Sequence, residues 1–295
     1  MFIDSFKQHF ESVADPRQSA KVTYPFFDIL FGSLCAVIAG AHGWFDIREY
    51  LLGHHKWFLE LGMFKAGIPA DDTIARTISA IKPEQFQACF LKWMAAVHTL
   101  TQGELIAIDG KTLRGSYNRE DRSSTIHMIS AYATANKLVL GQLKTDKKSN
   151  EITAIPELLQ LLDLQGALVS IDAMACQTKI AKTIIEQKGD YLLAVKGNQG
   201  NLSKAVQQAF SALRNDASSL EALQTEKQHG RIESRLCQVL DASTLEGNFS
   251  RWKGLKTLAM ITSFRTEKGK PVSMEYRYYI SSRIMSAEQV ASAVR

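Results

Sequence analysis

The sequence predicts a mixed α/β protein: a helical N-terminal region, then a mixed sheet with helices on its faces. Three observations carry this. Up to about residue 100, apolar residues recur at helical spacing. From Gly103, short apolar runs alternate with helical stretches, the pattern of strands and helices in one layered domain. Beyond about residue 225 the helical period fades and strand-like segments take over.

The elements follow in order. Phe2, Phe6 and Phe10 form one apolar helix face. Pro16 and Pro25 bracket a loop, and Ile29 to Ala41 reads as a buried helix. Trp44 to Leu61 continues helical and is rich in aromatics and histidines. Asp71 or Asp72 is placed to cap the next helix, and Lys82-Pro83-Glu84 opens another that runs through His98. Leu105 to Ile108 is a short apolar run ending in Asp109-Gly110-Lys111. Two strand-like segments, Thr125 to Thr134 and Leu138 to Lys144, flank a hairpin turn at Ala135-Asn136-Lys137. Glu151 to Leu162 reads as a helix, and Ala167 to Ile171 as a strand ending in Asp172. Gln177 to Gln187 is a helix stopped at Gly189. Tyr191 to Val195 is a third apolar run, and Leu202 to Leu213 is again helical. His229 to Leu240, Leu255 to Phe264 and Val272 to Ile280 read as strands, with a last helix from Ala287 to Val294.

Composition narrows the class. The 295 residues are 45% hydrophobic and 22% charged, near the globular average, which excludes collagen-like, coiled-coil and wholly disordered chains. Charge is uneven. Residues 1–100 hold nine Lys/Arg against ten Asp/Glu, while the remainder holds 26 against 20, so an anionic partner is expected at the second part. Cys35, Cys89, Cys176 and Cys237 form no close pair, which fits buried thiols in a reducing cytoplasm. The Ile29 to Ala41 run falls short of the roughly 20 residues of a membrane span. His54 and His55 are adjacent in sequence, without the spacing that puts two ligands on one helix face, and no zinc site is expected.

Asp109 and Asp172 are the candidate chemical centre. Each follows an apolar run and is preceded by Ile, so a buried strand would deliver each carboxylate to a sheet edge. Side by side, two carboxylates repel unless a cation lies between them. Mg²⁺ accepts such hard oxygen ligands, and a pair of ions suits phosphodiester chemistry. The alternative is that each Asp is an ordinary turn or cap residue. Around them, Gly110 permits close backbone approach, and Lys111 and Arg114 are placed to meet phosphates. Lys196-Gly197-Asn198-Gln199 follows the third apolar run on the same inferred edge, with cationic and amide donors, or as a polar turn. Strand alternation puts Arg231, Glu233 and Arg235 on one face, either to touch DNA or to pair internally.

These residues bring out a resemblance. The chain resembles the ISAs1-type bacterial transposases, including the H-repeat-associated proteins, within the wider DDE group. The matching stretches are Asp15-Pro16-Arg17, Gly67-Ile68-Pro69 with Asp72-Thr73, Ala107 to Lys111, Ile171-Asp172-Ala173, Val195 to Gln199, His229 to Glu233, and Arg277 to Ser282. The resemblance implies an RNase H-like core over 104–295 with a β-rich insertion at about 225–282, after a helical N-terminal transposase-associated domain at 1–100. It implies cutting and joining of double-stranded DNA at insertion-element ends, with Mg²⁺ or Mn²⁺ at Asp109 and Asp172 as the first two catalytic carboxylates. It implies DNA contacts from Lys111, Arg114, Lys196, Asn198, Gln199, Arg231 and Arg235, a homo-oligomer on DNA, and a bacterial cytoplasmic, nucleoid-associated protein without membrane contact.

The family's third carboxylate is a Glu in a Trp-x-x-Glu-like stretch downstream of the Tyr-Tyr-Ile-Ser-Ser segment. No Trp follows Trp252, and Glu288 comes too early. The expectation is therefore a C-terminally truncated transposase with an incomplete final helix, weak or inactive alone, which leaves its standing as an enzyme open. The alternatives are a non-catalytic DNA-binding remnant that binds element ends or co-assembles with intact transposase, and a nuclease completing its site with Glu233.

Overall fold

The computed structural model describes residues 2–97, 103–113, 116, 126–145, 151–213, 220–228, 231–267 and 271–294. The chain divides into two compact units, residues 1–97 and 98–295.

The first unit is helical: α1 (Phe2–Phe10), α2 (Phe26–Ile38), α3 (Trp44–Gly53), α4 (His55–Glu60), α5 (Asp71–Ser79) and α6 (Pro83–Val97). The anticipated phenylalanine face of α1 is its core contact. Phe6 stacks on Phe10 at 4.2 Å and meets the edge of Trp93 at 5.2 Å. The apolar run in α2 is buried within the unit. A Cβ on Gly32 would lie 2.7 Å from Leu51 Cδ2, so glycine there allows α2 to pack closely. Buried Asp28 accepts the backbone N–H of Phe64 at 2.7 Å, and burial raises its carboxyl above the ordinary range.

Two expectations change here. The stretch from Trp44 is two helices, broken at Gly53–His54, where the His54 backbone leaves helical geometry (φ −110°, ψ 12°). Asp71 and Asp72 are not caps. Ala70 is the capping position, and the two carboxylates lie in the first turn, where the helix dipole favours negative charge.

The second unit is built on one sheet. Its strands are β1 (Leu105–Thr112), β2 (His127–Ala133), β3 (Leu138–Thr145), β4 (Leu168–Ile171), β5 (Asp190–Val195), β6 (Leu220–Gln228), β7 (Arg231–Asp241), β8 (Thr257–Glu267) and β9 (Ser273–Ser281). Its helices are α7 (Glu151–Gln160), α8 (Thr178–Glu186), α9 (Gly200–Leu213) and α10 (Ala287–Ala293). The strand order is β3-β2-β1-β4-β5-β9-β8-β7-β6. The β3-β2-β1 meander is antiparallel, and β4 and β5 run parallel to β1, as an RNase H-like core requires. The β-rich segment is not a separate layer. Its last strand, β9, pairs antiparallel with β5 and carries β8, β7 and β6 out from the same sheet.

The pleat divides the sheet into two faces. Ile106, Ile108, Val169, Ile171, Tyr191, Leu193 and Val195 bury one face against α7, α8 and α9. On the other, Leu168, Leu192, Cys237, Val239, Ala259, Ile261 and Tyr279 pack with α10. Cys176 and Cys237 are buried, and their thiols are pushed up to about 12, so neither is reactive at neutral pH.

Gly189 is not the residue that stops α8, which ends at Glu186. Lys188, at φ 60°, takes the left-handed position, while a Cβ on Gly189 would lie 3.0 Å from the Leu164 carbonyl oxygen. The last helix starts at a capping box: Ser286 Oγ accepts the Gln289 N–H, and the Gln289 side chain accepts the Ser286 N–H. Among the described residues, no helix is long and apolar enough to cross a membrane.

Candidate active site

Asp109 and Asp172 meet at one edge of the sheet. β1 and β4 are parallel neighbours, with Ile108 opposite Ile171, so the next residue on each strand is an aspartate. Adjacent strands lie about 4.8 Å apart, which places the two carboxylates at one level on neighbouring strands. Ile108 and Ile171 are buried on the helix-covered face, and alternation sends both aspartates to the opposite face. Both are exposed.

The two differ locally. The sequence suggests that β1 ends at Asp109, but the strand continues through Lys111 to Thr112, paired with β2. Asp109 is therefore a mid-strand residue, and the turn or cap alternative does not hold for it. Asp172 does cap. Its Oδ1 accepts the Met174 N–H at 3.2 Å and starts a short 3₁₀ turn, Ala173–Ala175. That bond uses Oδ1 and leaves Oδ2 of the exposed Asp172 as a hard oxygen donor, as exposed Asp109 also offers.

The other expected site residues divide into three groups. Lys111 lies two residues beyond Asp109 on the same strand face, and Lys196 directly follows β5; both are exposed. Asn198, Gln199 and Arg235 make bonds inside the protein. Asn198 Nδ2 donates to the Ala173 carbonyl at 2.7 Å, and Gln199 Nε2 donates to the Cys176 carbonyl at 2.9 Å. Their amides tie the loop after β5 to the loop that carries Asp172. Arg235 donates to Glu233 Oε1 from Nη2 at 3.0 Å, and Arg265 approaches Glu233 Oε2 at 3.7 Å. Of the third group, Arg114 and His229-Gly230 lie outside the described residues, and Arg231 is placed only as the first residue of β7.

Sequence reasoning missed one cluster. Val195 pairs with Tyr278, so the next position along sets Lys196 beside Arg277. Glu275, Arg277 and Tyr279 alternate along β9 onto the face that carries the aspartates. Arg277 grips Glu275 through Nε at 3.0 Å and Nη2 at 3.2 Å. That pairing holds the Glu275 carboxyl below the usual range, with Lys196 and Arg265 adding to it. Asp172, Lys196, Arg277 and Tyr279 line one cavity of about 400 Å³, floored by Ala107, Ser170 and Ala194 and bounded by Ala293 and Val294 at the end of α10. The alternating Glu-x-Arg-x-Tyr pattern was visible in the sequence. The neighbour that gives it meaning, β5, lies some eighty residues upstream.

Among the described residues, no three acidic, His or Cys side chains gather as a metal cage. Glu233 is four strands from Asp172, roughly 19 Å at about 4.8 Å per strand, so it cannot complete the site. Glu288 lies in the first turn of α10, near Cys237 of β7, and does not line the cavity that Asp172 lines.

The comparisons with known proteins show the family. The family model described as "Transposase DDE domain" matches residues 100–295, and the model described as "DDE_Tnp_1-associated" matches residues 7–94. The chain belongs to the DDE transposase family. It is 46% identical over 301 aligned residues to the H repeat-associated protein YhhI of Escherichia coli (strain K12), covering all of this chain and 79% of that one. It is 39% identical over 280 residues to an uncharacterized protein in the dhlA 3′ region of Xanthobacter autotrophicus, with 94% of each chain covered. A solved piggyBac transposase synaptic complex with hairpin DNA aligns at TM-score 0.45 and 14% identity, over 97% of this chain and 62% of that one. Membership of the family makes this a transposase-like protein, and a DDE domain implies use of a divalent metal.

Proposed function

We propose that this chain acts on double-stranded DNA at insertion-element ends, by cleavage and strand transfer centred on Asp109 and Asp172. The observation that carries this is the register of β1 and β4, which sets the two aspartates side by side on an exposed sheet edge. Two outward carboxylates on rigid strands suit Mg²⁺, or Mn²⁺, as hard oxygen ligands. The chemistry such ions supply is polarisation of the phosphodiester and activation of the attacking oxygen. The protein's part is positioning. Buried Ile108 and Ile171 lock the two strands, and the Asn198 and Gln199 amides brace the Asp172 loop. Lys111 and Lys196 flank the carboxylates as phosphate contacts, Arg277 borders the cavity that Asp172 lines, and Arg114 and Arg231 are further phosphate contacts in this reading.

In this reading Asp109 and Asp172 are the two carboxylates that the described residues bring to the metal. Asp172 is supported on one oxygen by a backbone N–H, no such bond to Asp109 is found among the described residues, and a metal held by two groups would be held loosely. Assembly as a homo-oligomer on DNA, at the nucleoid of the bacterial cytoplasm, follows from the same reading. A second reading is favoured by the engagement of two glutamates of the sheet. Glu233 and Glu275 are both paired with arginines, which suits a non-catalytic protein that binds element ends or co-assembles with an intact relative.

The test uses the purified chain, labelled duplex DNA and supercoiled plasmid. The reading predicts duplex binding that falls steeply with salt, and slow Mn²⁺-dependent nicking that Asp109→Asn abolishes. Steep binding without nicking selects the second reading. Absence of salt-dependent binding overturns both.

A further inference from the structure

The N-terminal unit carries nine basic residues against ten acidic ones, so no overall field draws an anion to it. Yet two of its three arginines, Arg17 and Arg76, line one cavity of about 430 Å³. The remaining walls come from Gln18, Thr23, Tyr24, Thr73 and Thr77, and no carboxylate is among them. Two sequence motifs with no assigned role, Asp15-Pro16-Arg17 and Asp72-Thr73, meet at this cavity.

The arginines are held, not loose. Asp15 Oδ1 accepts Arg17 Nε at 2.9 Å, and Asp15 Oδ2 accepts Arg17 Nη2 at 2.8 Å. Asp15 Oδ1 also accepts the Arg17 backbone N–H at 3.0 Å, which closes a tight turn. That grip orients the guanidinium and leaves its Nη1 edge to other acceptors. Arg76 is anchored through Nε to the Asp72 carbonyl at 3.2 Å, which leaves its two terminal nitrogens. The Thr77 hydroxyl is spent on the Thr73 carbonyl at 2.7 Å, so Thr77 contributes its methyl group.

We propose that this cavity binds a backbone phosphate of duplex DNA, with Arg17 and Arg76 as its two guanidinium contacts. A donor-rich wall of arginine, amide and hydroxyl groups is the set that contacts DNA phosphates. Planar guanidinium forks match phosphate oxygens better than ammonium groups do. The inference rests on the proposed action on DNA but places a contact in a unit whose net charge gave no reason to expect one.

The experiment measures binding of a fluorescein-labelled mixed-sequence duplex across salt concentrations, using the full chain with Asp109→Asn to prevent cutting. Neutralising one phosphate contributes a slope of about 0.9 in log affinity against log salt. Arg76→Gln, and Arg17→Gln with Arg76→Gln, should each lower the slope by up to about one, the pair losing about one and not two. Arg76→Lys should keep most of the slope, which separates charge from folding damage. Arg48→Gln, at the unit's third arginine, should leave it unchanged. An unchanged slope in the double variant overturns this site alone. If no variant or parent binds duplex, the proposed action on DNA falls and this site falls with it.

Discussion

Where β1, β4 and β5 reach the aspartates, the two faces of the sheet carry opposite duties, although α10 covers Leu168 and Leu192 farther along the second face. On one, Ile106, Ile108, Val169, Ile171, Leu193 and Val195 are buried beneath three helices. On the other, one residue out of phase, stand Asp109, Lys111, Asp172 and Lys196. Along β1 the change happens within one step, from buried Ile108 to exposed Asp109. The core face holds the strands rigid, and that rigidity is what gives the exposed carboxylates a fixed spacing. Substitutions should therefore separate cleanly into those that cost stability and those that cost chemistry.

The largest effect is expected on the covered face. Leu193 is fully buried, and Leu193→Ala should destabilise the protein by about 2–5 kcal/mol, read from denaturant unfolding. Asp172→Asn, on the open face, should leave unfolding within about 0.5 kcal/mol but weaken Mn²⁺ binding by more than about a hundredfold, above the range lost when mere supporting groups are removed. A large stability loss from this change would break the division between faces.

Asn198→Ala sharpens it. This amide supports the Asp172 loop from the next strand, so its loss should weaken Mn²⁺ binding about tenfold, on the scale of a supporting group, and cost about 1 kcal/mol of stability. If metal affinity is untouched, the brace does not matter to the site. Lys111→Gln should have the smallest effect: unchanged unfolding within about 0.5 kcal/mol, and a salt slope for duplex binding lower by about one.

Much of this division was legible in the sequence because it rests on short-range pattern. The runs Leu105 to Ile108 and Ala167 to Ile171 read as buried strands, and the aspartates that follow them read as edge carboxylates. Most helices of both units lie where their periodicity puts them. What escaped depends on partners distant in sequence. The extension of β1 past Asp109 is stabilised by pairing with β2, which single-strand pattern cannot reveal. β6 was not anticipated, since Leu220 to Gln228 is a mixed polar stretch paired only with β7 at the sheet's edge. Asn198 and Gln199 looked like DNA donors because their types suit phosphates. Only the fold brings the carbonyls of Ala173 and Cys176 within reach of them. Arg277 was noticed as part of a motif, but its place beside Lys196 required the pairing of β9 with β5.

The central claim is that Asp109 and Asp172 act as one divalent-metal site. Mn²⁺ binding to the full chain, followed by electron paramagnetic resonance for the parent, Asp109→Asn, Asp172→Asn and the double variant, tests it most directly. A shared site predicts that either single change removes the site-bound Mn²⁺ signal and that the double change adds almost nothing further. Independent, additive losses, or a signal that survives both changes, would contradict the claim.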